Sequence, residues 1–298
     1  GGRVAGLDGT RDGSVMAKLR HGPWRVTAVS QARTKDIAVA PFGTAPGVPG
    51  TRYGDHYAYG ELAYDGAWQD DWRTQLRVNL SRSRFDGRYV FEDETAGRTV
   101  NRDVATGIGL DARLHWRGWL NHAPLFGIDT RRTLRGEQVN EDVDPATVYL
   151  RRNDRSTQLG LYAQDQIRLS EKTVLTLGAR VDHVQGQRAQ WSPRIALVHR
   201  AGVNESVKLM AGRAFRAPNL YERFYDDGGI SQAANPGLRP ERVNTVEAAW
   251  ERALGQDARL SVSAYRYQVV DIIEFVPFSG DLSRFENMST AHTQGIDI

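Results

Sequence analysis

Residues able to do chemistry are plentiful in this chain but are not spaced for catalysis. Seven histidines, His21, His56, His115, His122, His183, His199 and His292, show no paired spacing of the kind that brings two imidazoles to one metal. The absence of cysteine removes thiolate ligands, disulfide frameworks and cysteine nucleophiles, and leaves the redox compartment open. No GxSxG, P-loop or HExxH pattern occurs. Gly107-Ile108-Gly109-Leu110-Asp111-Ala112 spells GxGxxA, but no helix pattern follows it, so a phosphate has no helix N-terminus to meet. Asp8-Gly9-Thr10-Arg11-Asp12-Gly13 opens like a calcium loop, yet its ligand series stops and a turn is the simpler reading. The acidic clusters Glu92-Asp93-Glu94 and Glu141-Asp142-Val143-Asp144 fall in long connections, which do not hold two carboxylates at the fixed separation glycoside hydrolysis needs. No enzyme, resident metal or cofactor is expected.

Composition narrows the class. In 298 residues, 40% are hydrophobic and 25% charged, which is ordinary globular usage and excludes disorder. Thirty glycines against 11 prolines favour turns and strands over long helices. The net charge of +3 is small and its positive residues are scattered, so no nucleic-acid partner is expected. No window has the roughly 18 apolar residues of a spanning helix, which excludes a helical membrane protein but not a barrel, whose strands are only half apolar. Gly1-Gly2-Arg3-Val4-Ala5-Gly6 has neither part of a signal peptide.

The elements that must position any site announce themselves by a period of two. Val104, Thr106, Ile108, Leu110, Ala112, Leu114 and Trp116 share one face, opposite Ala105, Gly107, Gly109, Asp111, Arg113, His115 and Arg117. A helix would mix those sets. Leu175, Leu177, Ala179 and Val181 oppose Thr176, Gly178, Arg180 and Asp182 in the same way. Leu159, Leu161, Ala163, Ile167 and Leu169 form another apolar row, with Asp165 the exception on it. The pattern predicts about thirteen strands. They fall near 14–20, 24–34, 56–66, 72–84, 104–118, 123–135, 156–169, 173–183, 192–200, 206–215, 243–252, 257–270 and 292–298.

Connections then alternate. Short ones fall near 21–23, 65–71, 118–122, 170–172, 201–205 and 253–256; long ones near 35–55, 85–103, 136–155, 184–191, 216–242 and 271–291. An up-and-down antiparallel sheet with tight turns at one rim and elaborated loops at the other gives this alternation. Several strands exceed ten residues, the length a tilted strand needs to cross a bilayer. Trp24, Trp68, Trp72, Trp116, Trp119 and Trp250 lie at or near short connections, while Trp191 borders a long one. Indole prefers the headgroup level, so the short turns are placed at one interface, the periplasmic one in bacterial barrels.

Phe215-Arg216-Ala217-Pro218-Asn219-Leu220-Tyr221-Glu222 followed by Asn235-Pro236-Gly237-Leu238-Arg239-Pro240-Glu241 resembles the FRAPxxxE and NPxLxPE pair of TonB-dependent outer-membrane receptors. Tyr162-Ala163-Gln164-Asp165, Gly178-Ala179-Arg180-Val181-Asp182 and Ser192-Pro193-Arg194 resemble the family's YAQD, GxRxD and SPR strand marks. Arg33-Thr34-Lys35-Asp36, Asp271-Ile272-Ile273, Asn287 and Gln294-Gly295-Ile296-Asp297 fit the same pattern. Gly237, where a polar residue is common, and Val181, where Tyr is common, depart from it without threatening the fold. The resemblance runs from about Ser14 to the end of the chain.

The resemblance implies an all-β, antiparallel, up-and-down transmembrane barrel in the outer membrane of a Gram-negative bacterium. It implies capture of a scarce nutrient such as a ferric siderophore, and import driven by TonB with ExbB and ExbD through a plug domain. Family members carry a signal peptide, a TonB box, a plug and 22 strands. Residues 1–298 therefore read as an internal piece of the barrel domain, about 13 of those strands, with the plug absent. Anionic, aromatic-rich chelates suit guanidinium and phenol groups. The candidate ligand contacts are accordingly Tyr221, Arg223, Tyr225, Arg88 and Tyr89. A structural role fits Tyr221, Arg223 and Tyr225 equally well. Arg216 and Glu241 are expected to tie neighbouring loops together, as are the other motif residues.

Two other classes share parts of the pattern. A passive porin-like barrel would have the same strands without plug or TonB box, and a soluble all-β carbohydrate-binding protein or adhesin would bury its apolar rows. An open edge leaves unpaired N–H and C=O groups that lipid does not tolerate. This polypeptide alone is therefore expected neither to close nor to transport. Refolding in detergent should give no heat-modifiable, channel-forming species, and recovery of one would contradict the expectation.

Overall fold

A computed structural model describes residues 5–91 and 98–298. The strands are β1 (Thr10–His21), β2 (Trp24–Asp36), β3 (Arg52–Gln69), β4 (Trp72–Val90), β5 (Arg98–Trp116), β6 (His122–Val143), β7 (Ala146–Ser170) and β8 (Thr173–Val184). They continue with β9 (Gln190–Gly202), β10 (Glu205–Arg216), β11 (Glu241–Leu254), β12 (Ala258–Val270), β13 (Ile273–Ser279), β14 (Leu282–Asn287) and β15 (Ala291–Asp297). Among the described residues one short α-helix, α1 (Leu220–Phe224), and a 3-10 turn at Pro41–Gly43 interrupt them. β1 to β12 and then β15 form a single 13-stranded antiparallel sheet in chain order, with β1 and β15 at its two ends. β13 and β14 form a separate two-stranded hairpin set between β12 and β15, and Ser283 of β14 also makes a parallel bridge with Gln232.

The thirteen strands read from the sequence are the thirteen of the large sheet. Their register explains why the apolar sets matter. Leu19 faces Val26, which faces Leu62, then Val78, then Leu110, five neighbouring strands contributing to one greasy row. Leu175, Leu197, Leu209, Ala248, Ala264 and Ile296 continue such a row through the other half. These side chains have no protein above them: Ile108 is 39% and Leu177 42% exposed, and Leu110 and Leu175 are only half-buried. Water would not tolerate a contiguous apolar belt of this extent, and a bilayer does. The rows are not sealed in a core, which removes the footing for a soluble adhesin.

The opposite face is polar and internally paired. Arg180 reaches Asp129 at 2.5 Å and the fully buried Asp182 at 2.6 Å. Arg113 meets Asp111 at 2.9 Å, and Arg25 meets Glu61 at 3.1 Å. Glycine opposite an aromatic makes room here: a Cβ on Gly127 would stand 2.1 Å from Cζ of Tyr162, its partner across the ladder. Asp165, the acid on the apolar row, is held at the turn end of β7 by His122 Nδ1 at 2.5 Å and the Ala123 N–H at 3.1 Å. The tryptophans of the short rim stack, with Trp72 and Trp116 at 5.6 Å and Trp116 and Trp119 at 5.8 Å between ring centroids.

Three of the long connections are more ordered than the sequence suggested. β4 and β5 stay paired from Phe85 opposite Asp103 to Val90 opposite Arg98, so much of 85–103 is ladder. β6 and β7 likewise run through 136–155 to Val143 opposite Ala146, which places Glu141, Asp142 and Val143 on a strand rather than in a loop. The hairpin β13–β14 occupies much of 271–291. Glu92-Asp93-Glu94 lies outside the described residues. The reason is physical: beyond Leu80 the lipid-side positions of β4 become Arg82, Arg84, Asp86 and Arg88, and Asp86 pairs with Arg84 and Arg102. With water on both faces the hydrophobic alternation stops, although the ladder does not.

Replacing Leu177 by Arg should cost about 2–4 kcal/mol of folding stability in lipid vesicles, the penalty of a charge on the lipid side. Thr176→Arg, one residue away on the inner face, should cost far less, and denaturant titration of the lipid-embedded whole protein reads the difference. Equal costs would contradict the assignment of faces.

Candidate ligand-binding site

The two loop motifs build a clamp above the sheet. Phe215 and Arg216 end β10, and Ala217-Pro218 carry the chain to Asn219, the N-cap of α1. Proline cannot continue the ladder, and Asn219 starts the helix by accepting from the Glu222 N–H at 2.9 Å. Glu222 returns the bond to the Asn219 N–H at 2.8 Å, a reciprocal capping box. Arg216 then donates to Glu222 at 2.9 Å and to Glu241, the first residue of β11, at 2.5 Å. The other carboxylate oxygen of Glu241 accepts from the Ile273 N–H at 2.8 Å, joining the start of β13 to the same knot.

The second motif fixes the hairpin. Asn235 donates to the Phe285 carbonyl at 2.9 Å, Leu238 is almost wholly buried, and Gln187 donates to the Leu238 carbonyl at 3.0 Å. Pro236 and Pro240 bracket Leu238, and the Pro236 carbonyl accepts from Arg223 at 3.2 Å. Asn287, at the end of β14, bonds both the N–H and the carbonyl of Arg239, at 2.8 and 2.9 Å. Asp271 accepts from Arg239 at 2.7 Å and from Arg242 at 2.6 Å; the Arg239 hydrogen bond holds its carboxyl below the ordinary aspartate range. α1 and β13–β14 are thereby set over the long rim of the sheet.

Between them lies a cavity of about 700 Å³. Eight rings line it: Phe42, Tyr89, Phe91, Tyr149, Tyr221, Tyr225, Phe275 and Phe285. Tyr221 and Tyr225 stand four residues apart with centroids 4.8 Å from each other, and Tyr221 also meets Phe285 at 5.8 Å. Tyr221 donates to Gln232 at 3.0 Å, and Tyr225 accepts from Asn140 at 2.6 Å. Burial pushes the Tyr225 phenol up to about 12 and raises Tyr221 as well, so both remain neutral donors. A neighbouring cavity of about 620 Å³ shares Tyr221 and is lined by Arg33, Arg84, Asp103 and Gln138 among others.

The floor of the larger cavity is a tight loop. Asp227 accepts from the backbone N–H groups of Ile230, Ser231 and Gln232 at 2.9–3.1 Å and from the Ser231 hydroxyl at 2.5 Å. Burial alone would raise its carboxyl, but those donors outweigh it and hold the group below the usual aspartate range. Gly228 and Gly229 take φ of +76° and +89°, the left-handed conformation that other residues resist.

Of the five ligand candidates, Tyr89, Tyr221 and Tyr225 come together around this cavity and two arginines do not. Arg88 follows the lipid-side parity of Leu76, Leu80 and Arg84 along an unbroken ladder, so it faces away from Tyr89. Arg223 lies over the ring of Phe224 at 4.5 Å. Sequence reasoning missed Phe42, Phe91, Tyr149, Phe275 and Phe285, which come from four separate connections and share no local spacing.

Comparison with known proteins agrees with this architecture. The family model described as TonB dependent receptor-like, beta-barrel, matches residues 8–298. An iron-regulated outer membrane virulence protein of Vibrio cholerae serotype O1 is 29% identical over 216 residues, 71% of this chain and 30% of that protein. The ferric enterobactin receptor of Pseudomonas aeruginosa is 45% identical over 64 residues, 21% of this chain and 8% of that one. A crystal structure of a point mutant of a P. aeruginosa ferric enterobactin receptor superposes with a TM-score of 0.73 at 17% identity, over 99% of this chain and 50% of that one. The chain thus spans about half the length of the solved receptor it overlays. With the family model covering nearly all of the sequence, the chain belongs to the TonB-dependent receptor β-barrel family of the outer membrane.

Proposed function

We propose that residues 1–298 are part of the single barrel domain of a receptor that captures a ferric siderophore at the cell surface and imports it. Import would draw on TonB, energised by ExbB and ExbD, and on a plug domain. The observation carrying this reading is the eight-ring cavity held over the long rim by the two family motifs. Aromatic walls with a few fixed polar groups suit a bulky chelate that must be recognised by shape and apolar contact. The relatives support iron as the cargo, since one is named as iron-regulated and another as a ferric enterobactin receptor.

In a strain lacking its other iron receptors, the whole gene product should restore growth and radioactive iron uptake on a suitable siderophore. Loss of TonB should abolish uptake while leaving binding intact. Tyr221→Ala with Tyr225→Ala should weaken ligand binding about tenfold or more, since losing the apolar contact of two rings should cost roughly 1.5 kcal/mol or more. Uptake that persists without TonB would point to passive diffusion instead.

Asp227→Ala should lower ligand affinity without loss of the barrel, because its carboxylate shapes the cavity floor and touches none of the sheet's ladders. Heat-modifiable migration on gels together with ligand titration separates the two effects, and a variant that no longer forms a barrel would contradict this placement.

A further inference from the structure

The charge of the cavity departs from what the uptake of an anionic chelate would require. Among the described residues, its lining holds three carboxylates, Asp142, Asp227 and Asp281, and no Lys, Arg or His. Six guanidinium groups on the flanking elements are engaged elsewhere. Arg216 is tied to Glu222 and Glu241, and Arg239 and Arg242 to Asp271. Arg152 pairs with Asp154 and lies over Phe224, whose ring Arg223 also covers. Arg284, between the lining residues Ser283 and Phe285, alternates to the other side of β14, where it pairs with Glu286 and covers Phe278. The contrast is local, because Arg33, on the inner parity of β2, does line the neighbouring cavity.

Among its lining residues, buried side-chain atoms of both kinds lack a hydrogen-bond partner. The Asn101 and Asn140 carbonyl oxygens are buried without a donor, and the Gln232 amide nitrogen is buried without an acceptor. Unpaired buried groups of this kind reward a ligand that brings amide-like donors and acceptors, and penalise one that cannot pair them. A ligand carrying several negative charges would meet three carboxylates at close range with no compensating cation among the described lining residues, an arrangement that disfavours it.

We infer that the cavity selects a ferric chelate without net negative charge, of the trihydroxamate class, over a trianionic tris-catecholate. This rests on the uptake function proposed above and specifies its substrate class. The hydroxamate groups satisfy iron with one negative charge each, leaving the ferric complex neutral, whereas three catecholates bring six charges to Fe(III) and leave a trianion for the three carboxylates to repel.

The test uses the whole receptor purified from outer membranes in detergent, with ferrichrome as the neutral probe and ferric enterobactin as the trianionic one, titrated by quenching of intrinsic fluorescence. Ferrichrome should bind at least tenfold more tightly. Asp281 lies on the exposed β13–β14 turn, so Asp281→Lys changes the charge there while sparing the clamp. It should shift the preference at least tenfold towards ferric enterobactin. Tighter binding of ferric enterobactin by the unmodified receptor, or a ratio unmoved by Asp281→Lys, overturns the charge inference and leaves the uptake function standing. Binding of neither chelate, together with no iron-dependent growth on either, overturns both.

Discussion

Lipid offers no partner to a backbone N–H or C=O, and that single fact organises this molecule. It requires long, continuous ladders, and the sheet supplies them from Thr10 to Asp297 with few irregularities. Because successive side chains in a ladder point to opposite faces, the same requirement sorts the sequence into two sets. Leucine, isoleucine, valine and tryptophan go outward into the bilayer, and arginine, aspartate, glutamate and tyrosine go inward, where they pair with one another. The inner pairs such as Arg180 with Asp129 and Asp182 are then a consequence of the outer rows.

Above the bilayer the constraint lapses and the chain is free to build. The ladders of β4 to β7 continue as arms, but their outer positions carry ion pairs in place of aliphatic rows. On this rim the FRAPN and NPGLRPE motifs act together as a joint. Arg216 and Glu241 link the ends of β10 and β11, Asn219 and Glu222 start α1, and Asn235 with Asn287 fasten the hairpin. Rigid placement of Tyr221, Tyr225, Phe275 and Phe285 follows from that joint, and a preorganised aromatic wall loses less on binding than a mobile one.

Much of this was legible beforehand, and the rest was hidden for a definite reason. Where lipid meets one face, Ile108, Leu110, Leu175 and Leu177 alternate with polar neighbours, and the strands could be read almost residue by residue. Where water meets both faces, as along Arg82 to Arg88 or Glu137 to Val143, alternation carries no information and paired strands read as loops. The motif residues were visible as letters, yet their bonds to Ile273, Phe285 and Asn287 span thirty to sixty positions and have no local trace. Arg88 and Tyr89 show the limit most plainly: adjacent in sequence, they lie on opposite faces, and the parity of β4 that separates them was obscured once its apolar row ended at Leu80.

Residues 1–298 contain no cysteine, so once any cysteine elsewhere in the receptor is replaced the faces are open to direct measurement. Single cysteines at positions 174 to 182 of the lipid-embedded receptor, each carrying a nitroxide label, can be compared for access to oxygen in the bilayer and to a water-soluble nickel chelate. Positions 175, 177, 179 and 181 should favour oxygen and positions 176, 178, 180 and 182 the chelate, with a strict period of two. A flat profile, or protection of the leucine positions from both reagents, would contradict a sheet bathed by lipid on one side.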